Sequence, residues 1–178
     1  MPGSSTGTFI DPEDYQASLR QVGIDLLGTS QGGFKARLTW VTLHQLQLLH
    51  SEEDLPRIAY VSLAPALIFV GFATRPDPPM FWGGVELQTG DIVFHGRGER
   101  FHQRTTGHCG WSLVGLAPDH LETYFEALSG KPLSLPASLR ILRPAMRDAA
   151  RLRRLHAQAC RLAETRPKVY PTPRSPEP

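Results

Sequence analysis

Residues 80–116 read MFWGGVELQTGDIVFHGRGERFHQRTTGHCGWSLVGL, and their pattern predicts the fold class. Short apolar runs at residues 80–82, 85–87, 91–95, 101–104 and 111–116 alternate with breaks that contain glycine. Apolar and aromatic runs of this length favour strands, and glycine favours the tight turns between them. Many short strands joined by glycine-rich turns are typical of a β-sandwich or a small β-barrel.

The residues before this stretch predict further strands. Residues 34–40 (FKARLTW) alternate between apolar and polar side chains, which is the period of a half-buried strand. Residues 24–27 and 46–50 carry weaker strand signals. The run at residues 66–72 is continuously apolar, which suits a strand that is buried on both faces.

Helical patterns flank the strand-rich region. Asp11-Pro12-Glu13-Asp14 predicts a helix to about residue 21, because aspartate caps the first turn and proline fits the first helical position. Residues 119–128 predict a second helix that stops at Ser129-Gly130. Residues 145–165 predict a third, with apolar side chains at i, i+3 and i+4 spacing. The predicted fold class is therefore α+β, with a short N-terminal helix and C-terminal helices.

Composition divides the single predicted domain into four segments. Residues 1–8 are rich in Gly, Ser and Thr and predict a flexible N-terminus, and residues 9–117 predict the barrel or sandwich. Residues 118–166 predict a helical segment with a basic end. Residues 167–178 contain five prolines, which predict a disordered tail or a linker.

Cysteine usage and hydropathy point to the cytoplasm. Cys109 and Cys160 have no CxxC spacing and are too few for a disulfide framework, so a reducing compartment is expected. The N-terminus lacks the basic and apolar regions of a secretory signal. The longest apolar run, residues 64–73, is too short for a helix that spans a bilayer. We expect a cytoplasmic protein with no membrane partner.

Two resemblances to known protein families make the predicted fold and function more specific. Residues 90–99 (GDIVFHGRGE) resemble the second conserved motif of cupin barrels. The order of elements through residues 9–165 is similar to the N-terminal half of AraC-family transcriptional regulators. That likeness is carried by residues 9–15, 33–38, 80–84, 90–94, 111–113, 128–133, 155–156 and 162–165.

The resemblance implies a cupin-like small β-barrel that binds an effector or mediates dimerisation. In that family a second half with two helix-turn-helix units reads DNA. No such unit follows residues 145–165, so we expect DNA binding only through a helix-turn-helix domain absent from this chain.

The barrel interior is the candidate effector site. Strand alternation turns several large aromatic side chains inward beside a few polar groups, which suits a small apolar ligand. The candidate ligand-binding residues are Trp40, His44, Phe69, Trp82, Phe94 and Trp111. Aromatic side chains also commonly fill a small barrel, so a dimerisation module without a ligand is an alternative.

A small metal-dependent cupin enzyme is the alternative from another class. Its metal site needs a His-x-His pair, a glutamate and a further histidine that converge on one ion. No His-x-His occurs in the sequence. We therefore expect no catalytic activity, no cofactor and no metal, and the ligands of such a site would be His44, His95, Glu99 and His102.

The third predicted helix is the candidate dimer interface. Its apolar stripe must be buried, either on the barrel or against a second copy of the chain. We expect a homodimer through this helix, with interface residues Ala149, Leu152, Leu155, His156, Ala159 and Leu162. The opposite face carries Arg147, Arg151, Arg154 and Arg161. Because no aromatic side chain or reading motif accompanies them, a solvated face is favoured over nucleic-acid contact.

Overall fold

The structure is a computed structural model that describes residues 3–19, 21–29 and 32–165. Within these residues the chain forms strands and helices in the following order: β1 Gly3–Phe9, α1 Pro12–Ser18, β2 Val22–Gly28, β3 Ala36–Leu43, β4 Leu46–Glu53, β5 Arg57–Leu63, β6 Ile68–Ala73, β7 Met80–Trp82, β8 Val85–Glu86, β9 Ile92–Phe94, β10 Arg100–Thr105, β11 Cys109–Leu116, α2 Pro118–Ser129, β12 Arg140–Leu142 and α3 Met146–Thr165. The α+β class is confirmed.

The strands form two antiparallel sheets that share one core. The larger sheet has the order β1-β3-β4-β11-β6-β9-β12, and the smaller one has the order β2-β5-β10-β7-β8. Buried side chains from both sheets pack into a single cluster between them. No hydrogen-bonded ladder joins the two sheets within the described residues. The molecule is therefore an open sandwich, which agrees with the sandwich alternative of the prediction and not with the barrel alternative.

Strand alternation builds a second, smaller core on the outside of the larger sheet. In β11, Trp111 and Leu113 point between the sheets, whereas Val114 points outward. The outward cluster also contains Val41, Phe72 and Ala163 of α3. Helix α3 lies across β1, β3 and β4 on this outer face, which explains why β11 is buried on both faces.

The N-terminal segment corrects the sequence prediction. Residues 1–8 were expected to be flexible, but Gly3–Phe9 pairs with β3 residue by residue, from Gly3 opposite Thr42 to Phe9 opposite Ala36. The composition of this segment does not favour a strand by itself. The exposed edge of β3 offers a row of unpaired backbone groups, and pairing with them orders the segment.

Helices α1 and α2 begin and end where the local signals placed them, within a few residues. Asp11 Oδ1 accepts hydrogen bonds from the backbone N–H groups of Glu13 (2.7 Å) and Asp14 (3.3 Å), which confirms the N-cap. Helix α2 ends at Ser129, and Gly130 follows with φ of 68°, a left-handed conformation that glycine adopts without strain. Helix α2 has no buried residue.

Strands β5 and β12 were not predicted. Strand β5 follows Pro56, and its inward positions begin with the charged Arg57, which hides the alternation of the following apolar residues. Strand β12 has only three residues. The predicted tail at residues 167–178 lies outside the described residues. None of the helices in the described residues is long and apolar enough to cross a bilayer.

Candidate functional site

Three of the predicted ligand-binding residues form the sandwich core. Phe69, Trp82 and Trp111 are each at most 1% exposed, and their side chains pack between the two sheets. The cavity that remains beside Trp82 and Trp111 has a volume of about 10 Å³. A space of that size holds about one water molecule, so these aromatic side chains fill the interior and leave no room there for an effector.

A larger pocket opens at one end of the sandwich, where the β3–β4 hairpin meets the end of α1. We call it the mouth pocket; its volume is about 270 Å³. It is lined by the inward-facing Leu38, Trp40 and Leu49, by the outward-facing Val41 and Leu48, and by the polar residues Ser18, Gln21, Thr42 and Gln47. Trp40 is therefore the predicted ligand-binding residue that lines a ligand-sized space.

His44 and Phe94 do not reach either space. His44 is exposed in the turn between β3 and β4, where its φ is 53°. Phe94 lies opposite Val70 in the neighbouring strand, and Val70 packs on the outer face of the larger sheet. Because paired residues point to the same face, Phe94 points away from the interior. The six predicted ligand-binding residues are thus divided among the core, the mouth pocket and positions outside both. The prediction is wrong for His44 and Phe94, which lie outside.

A buried ion pair lies in the core next to these aromatic side chains. Glu53 on β4 is 1% exposed and Arg57 on β5 is 3% exposed, and the Arg57 guanidinium donates to both carboxylate oxygens of Glu53. The carboxylate also accepts hydrogen bonds from the Tyr15 hydroxyl (2.7 Å) and the Trp111 Nε1–H (2.6 Å). Arg57 further donates to the side chain and carbonyl of Gln103.

The electrostatics of this buried network keep both charges in place. Burial raises the pKa of Glu53, but the adjacent Arg57 guanidinium outweighs it and holds the pKa below its ordinary value. Burial and the Glu53 carboxylate raise the pKa of Tyr15 well above its ordinary value, so its hydroxyl remains a donor. The network connects α1, through Tyr15, to both sheets.

Sequence reasoning missed this network, although one signal was present. Glu53 points to the same face of β4 as Leu49 and Ser51, which are both buried. A carboxylate at an inward position requires a buried cation. Arg57 occupies such a position at the start of the next strand.

The four possible metal ligands do not converge. His95 is fully buried and its Nδ1 lies 3.0 Å from Glu99 Oε2. His102 instead packs beside Tyr60 with ring centroids 5.2 Å apart and the ring planes tilted by 51°, and it is exposed, as is His44. Among the described residues, no group of three or more His, Cys, Asp or Glu side chains could hold a metal ion.

His95 and Glu99 instead stabilise the turn after β9. Glu99 accepts hydrogen bonds from the backbone N–H groups of Gly96 (3.1 Å) and Leu139. Burial raises the pKa of Glu99, but the hydrogen bonds from His95 and from these backbone groups together hold it below its ordinary value. The His95 ring stacks on Phe101 at 4.6 Å. The Glu99 carboxylate therefore connects the turn after β9 to the segment before β12.

The predicted interface residues of α3 fall on two different faces. His156 is buried against the larger sheet, where its Nε2 lies 3.3 Å from the Leu113 carbonyl oxygen, and Leu152 and Ala159 pack partly against the same surface. Ala149 is buried beside Gly90, which precedes β9. Leu155 and Leu162 are 54% and 61% exposed. The sheet thus already covers part of the stripe, and Ala149 and His156 are corrected to intramolecular contacts.

One comparison with known proteins supports the fold. No protein-family model matches the chain, and no curated protein sequence is similar to it. The crystal structure of the AraC-like transcriptional activator CuxR superposes with a TM-score of 0.54 and 16% identity, covering 98% of this chain and 73% of that chain. The structure of a putative glyoxylate-induced protein from Pseudomonas aeruginosa gives a TM-score of 0.36 and 14% identity, covering 69% and 41%. The first comparison confirms, at the level of the fold, the resemblance to an AraC-type regulator: this chain folds as the AraC-like activator does over nearly its whole length.

Proposed function

We propose that this chain is a non-catalytic regulatory domain that binds a small effector in the mouth pocket and dimerises through α3. The observation that carries the proposal is the position of the mouth pocket, in a sandwich whose fold matches that of a transcriptional activator. Effector binding and dimerisation are the two roles that the AraC-type resemblance implies for such a domain.

The chemistry of the mouth pocket suits a largely apolar ligand with a few hydrogen-bonding groups. The inward-facing leucine and tryptophan side chains provide the apolar wall, and two amides and two hydroxyls provide donors and acceptors. Small-molecule sites typically combine apolar lining with a few placed polar groups. The volume of about 270 Å³ is near the lower end of such sites, so the effector is expected to be small.

Strand β3 provides a physical link between the mouth pocket and α3. Its inward residues Leu38 and Trp40 line the pocket. Between them, the outward Thr39 donates from its Oγ1 to Glu164 of α3 across 2.8 Å. A ligand that prefers one position of β3 therefore favours one position of α3, which is a population shift between two arrangements.

Ligand binding can be tested with 1-aminoanthracene, a neutral fluorescent probe of apolar pockets. We expect saturable binding to the wild-type protein and a loss of at least about 10-fold in affinity for Trp40→Ala, because the indole supplies much of the apolar wall. Phe94→Leu is the matched control, since Phe94 points away from the pocket. Equal affinity in Trp40→Ala and the wild type would contradict the proposed site.

Dimerisation is assigned to the exposed edge of α3. Leu155 and Leu162 are two turns apart and both project from the sheet-bound helix. Light scattering with size-exclusion chromatography should show a dimer that Leu155→Lys and Leu162→Lys convert to a monomer. Leu128→Lys on α2 is the control, because Leu128 is 90% exposed on a different helix. Loss of the dimer in the control alone would move the interface to α2.

The ligand-free dimerisation module is the second candidate, and the nearly filled core favours it. Native mass spectrometry of the purified protein separates the two, because an effector domain carries or takes up a small molecule and the ligand-free module does not.

We further propose a cupin-like sandwich that acts in the cytoplasm and contacts DNA only through a separate helix-turn-helix domain. The AraC-type resemblance supports these points.

A further inference from the structure

Helix α2 carries an apolar stripe that is largely exposed. Leu121, Tyr124, Phe125 and Leu128 recur at i, i+3, i+4 and i+7, which places them on one face of the helix. Leu128 is 90% exposed and Tyr124 is 57% exposed, and none of the described strands or helices packs along α2. A helix of 12 residues is marginal in water unless its apolar face is buried. The stripe therefore needs a surface to pack on.

The opposite face of α2 is acidic. Asp119, Glu122 and Glu126 lie on it at i, i+3 and i+7, and the helix contains no lysine or arginine. When the stripe packs on an apolar surface, these carboxylates therefore remain in solvent and lose no hydration.

Helix α2 begins beside the mouth pocket. Strand β11 leads directly into it, and the last two residues of that strand, Gly115 and Leu116, pair with Gln47 and Leu46 of β4. Gln47 lines the mouth pocket. Paired residues of antiparallel strands lie about 5 Å apart, so α2 starts roughly one strand spacing from the rim. The helix is about 18 Å long at its usual rise per residue, which exceeds the span of a pocket of about 270 Å³.

The ends of α2 allow it to change direction. Ala117 precedes the helix in an extended conformation and provides no side-chain cap. Gly130 follows with φ of 68°, and residues 130–139 contain neither helix nor strand. The chain is held again at Leu139, whose backbone N–H donates to Glu99. Helix α2 can therefore turn about Ala117 while residues 130–138 accommodate the movement.

The mouth pocket offers the surface that the stripe needs. Its apolar lining includes the partly exposed Trp40, and no charged side chain lines it. Small-molecule sites typically bury most of the surface of their ligand. A ligand that packs on Trp40 presents further apolar surface at the rim, and covering that surface together with the stripe removes both from water.

We propose that α2 is a lid that closes over the mouth pocket when an effector occupies it. This inference rests on the proposed effector site and adds the element that completes it. In the closed arrangement, Tyr124, Phe125 and Leu128 pack on the ligand and the rim. Such a lid acts mainly on the rate at which the ligand leaves.

Dissociation of 1-aminoanthracene, followed by stopped-flow fluorescence, tests the lid. We expect the double variant Phe125→Ala, Leu128→Ala to release the probe at least about 5-fold faster than the wild type, because alanine keeps the helix but removes half of the stripe. Glu126→Ala is the matched control, since Glu126 lies on the acidic face of the same helix. Its rate should stay within about 2-fold of the wild type. Circular dichroism of each variant verifies the fold.

Amide hydrogen exchange of residues 118–129 provides a second readout, on the helix itself. The probe should slow exchange in this helix at least about 5-fold in the wild type, because a covered helix opens less often. At the same probe concentration, Trp40→Ala should show much less protection, since its pocket holds the probe more weakly.

Three results would overturn the lid, and they separate it from the effector site. Saturable binding with unchanged dissociation in the double variant removes the lid and leaves the site. No saturable binding to the wild type removes both. A lower oligomeric state of the double variant in light scattering assigns the stripe to an interface between copies of the chain.

Discussion

At the scale of single residues, the buried Glu53–Arg57 pair has the largest consequences for stability. Its hydrogen bonds reach one helix and both sheets, and its charges have almost no contact with solvent. The pair itself is weak evidence of stabilisation, but leaving one of its partners unsatisfied is expensive. Substitutions around it should therefore act through lost partners.

Tyr15→Phe tests this directly. The change removes the hydroxyl that donates to Glu53 at 2.7 Å and contacts Ser51 at 2.8 Å, and it leaves a buried carboxylate with one donor fewer. We expect a loss of about 1–3 kcal/mol in the free energy of unfolding, measured by urea denaturation. Tyr60→Phe should change it by less than about 0.5 kcal/mol, because Tyr60 is partly exposed. Equal effects would contradict the role of the network.

His156 should make stability depend on pH. Burial lowers its pKa from the ordinary 6.5 to about 4 in the folded protein. Between these values the unfolded chain binds a proton that the folded chain does not, so stability is complete above about pH 6.5 and falls as the pH drops toward 4. The expected loss between about pH 7.5 and 5 is about 2 kcal/mol.

Urea denaturation of the wild type and His156→Gln at both pH values isolates this contribution, because all other titrating groups are shared. Glutamine keeps a donor for the Leu113 carbonyl, 3.3 Å from His156 Nε2, but does not titrate. The variant should lose about 2 kcal/mol less than the wild type over the same interval. Parallel losses in the two proteins would rule out this assignment.

At the scale of elements, α1 connects the core to the mouth pocket. Tyr15 reaches the buried network and Ser18, at the end of the same helix, lines the pocket. The helix has only seven residues, so its stability depends on its cap and on packing. Substitutions at the helix cap should therefore also weaken ligand binding in the mouth pocket.

Asp11→Ala removes that cap. It deletes the acceptor for the backbone N–H groups of Glu13 and Asp14, and should cost about 1 kcal/mol in the free energy of unfolding. It should also weaken binding of 1-aminoanthracene, because Ser18 is less firmly held. Asp54→Ala is the control, since Asp54 is exposed and its carboxylate makes no hydrogen bond to the described residues. A cap variant as stable as this control would contradict the role of Asp11.

The orientation of α3 shows what an element's sequence can and cannot predict. Its bounds follow from the apolar spacing and agree within one residue. Its buried face follows only in part, because the predicted stripe contains the buried Ala149 and His156 but also the exposed Leu155 and Leu162. It leaves out Cys160 and Ala163, which are buried. Small side chains on α3 let the helix lie close to the sheet, whose outer face already carries the large side chain of Phe72. The shape of that sheet surface cannot be deduced from the sequence of the helix alone.

At the scale of the whole molecule, local patterns predicted most strands and all three helices, but not their assembly. The alternation of β3 predicted its inward face correctly, since a half-buried strand shows its period in sequence. The pairing of residues 3–9 with β3 and the open sandwich depend on partners distant in the chain. The candidate site was predicted in part for the same reason: Trp40 lines the pocket, but its other walls come from α1 and β4.

Deletion of residues 1–9 should reveal what β1 contributes to the assembly. It exposes the edge of β3 along seven paired residues, and such edges promote aggregation. We expect the midpoint of thermal unfolding to fall by at least about 5 °C, with increased light scattering at high concentration. Deletion of Met1 and Pro2 alone is the control, because the strand begins at Gly3. A full deletion that behaves like the control would assign no structural role to β1.

The two free thiols lie in different layers of the sandwich, and this makes them native reporters of its opening. Cys109 is enclosed between the sheets and Cys160 is buried on α3 itself, at 1% and 2% exposure. Burial raises the pKa of each thiol to about 12, so neither is alkylated at neutral pH while covered. Lifting α3 exposes only Cys160, whereas global unfolding exposes both. Iodoacetamide should therefore modify Cys160 first, and peptide mass spectrometry would then time the detachment of this helix without an introduced label.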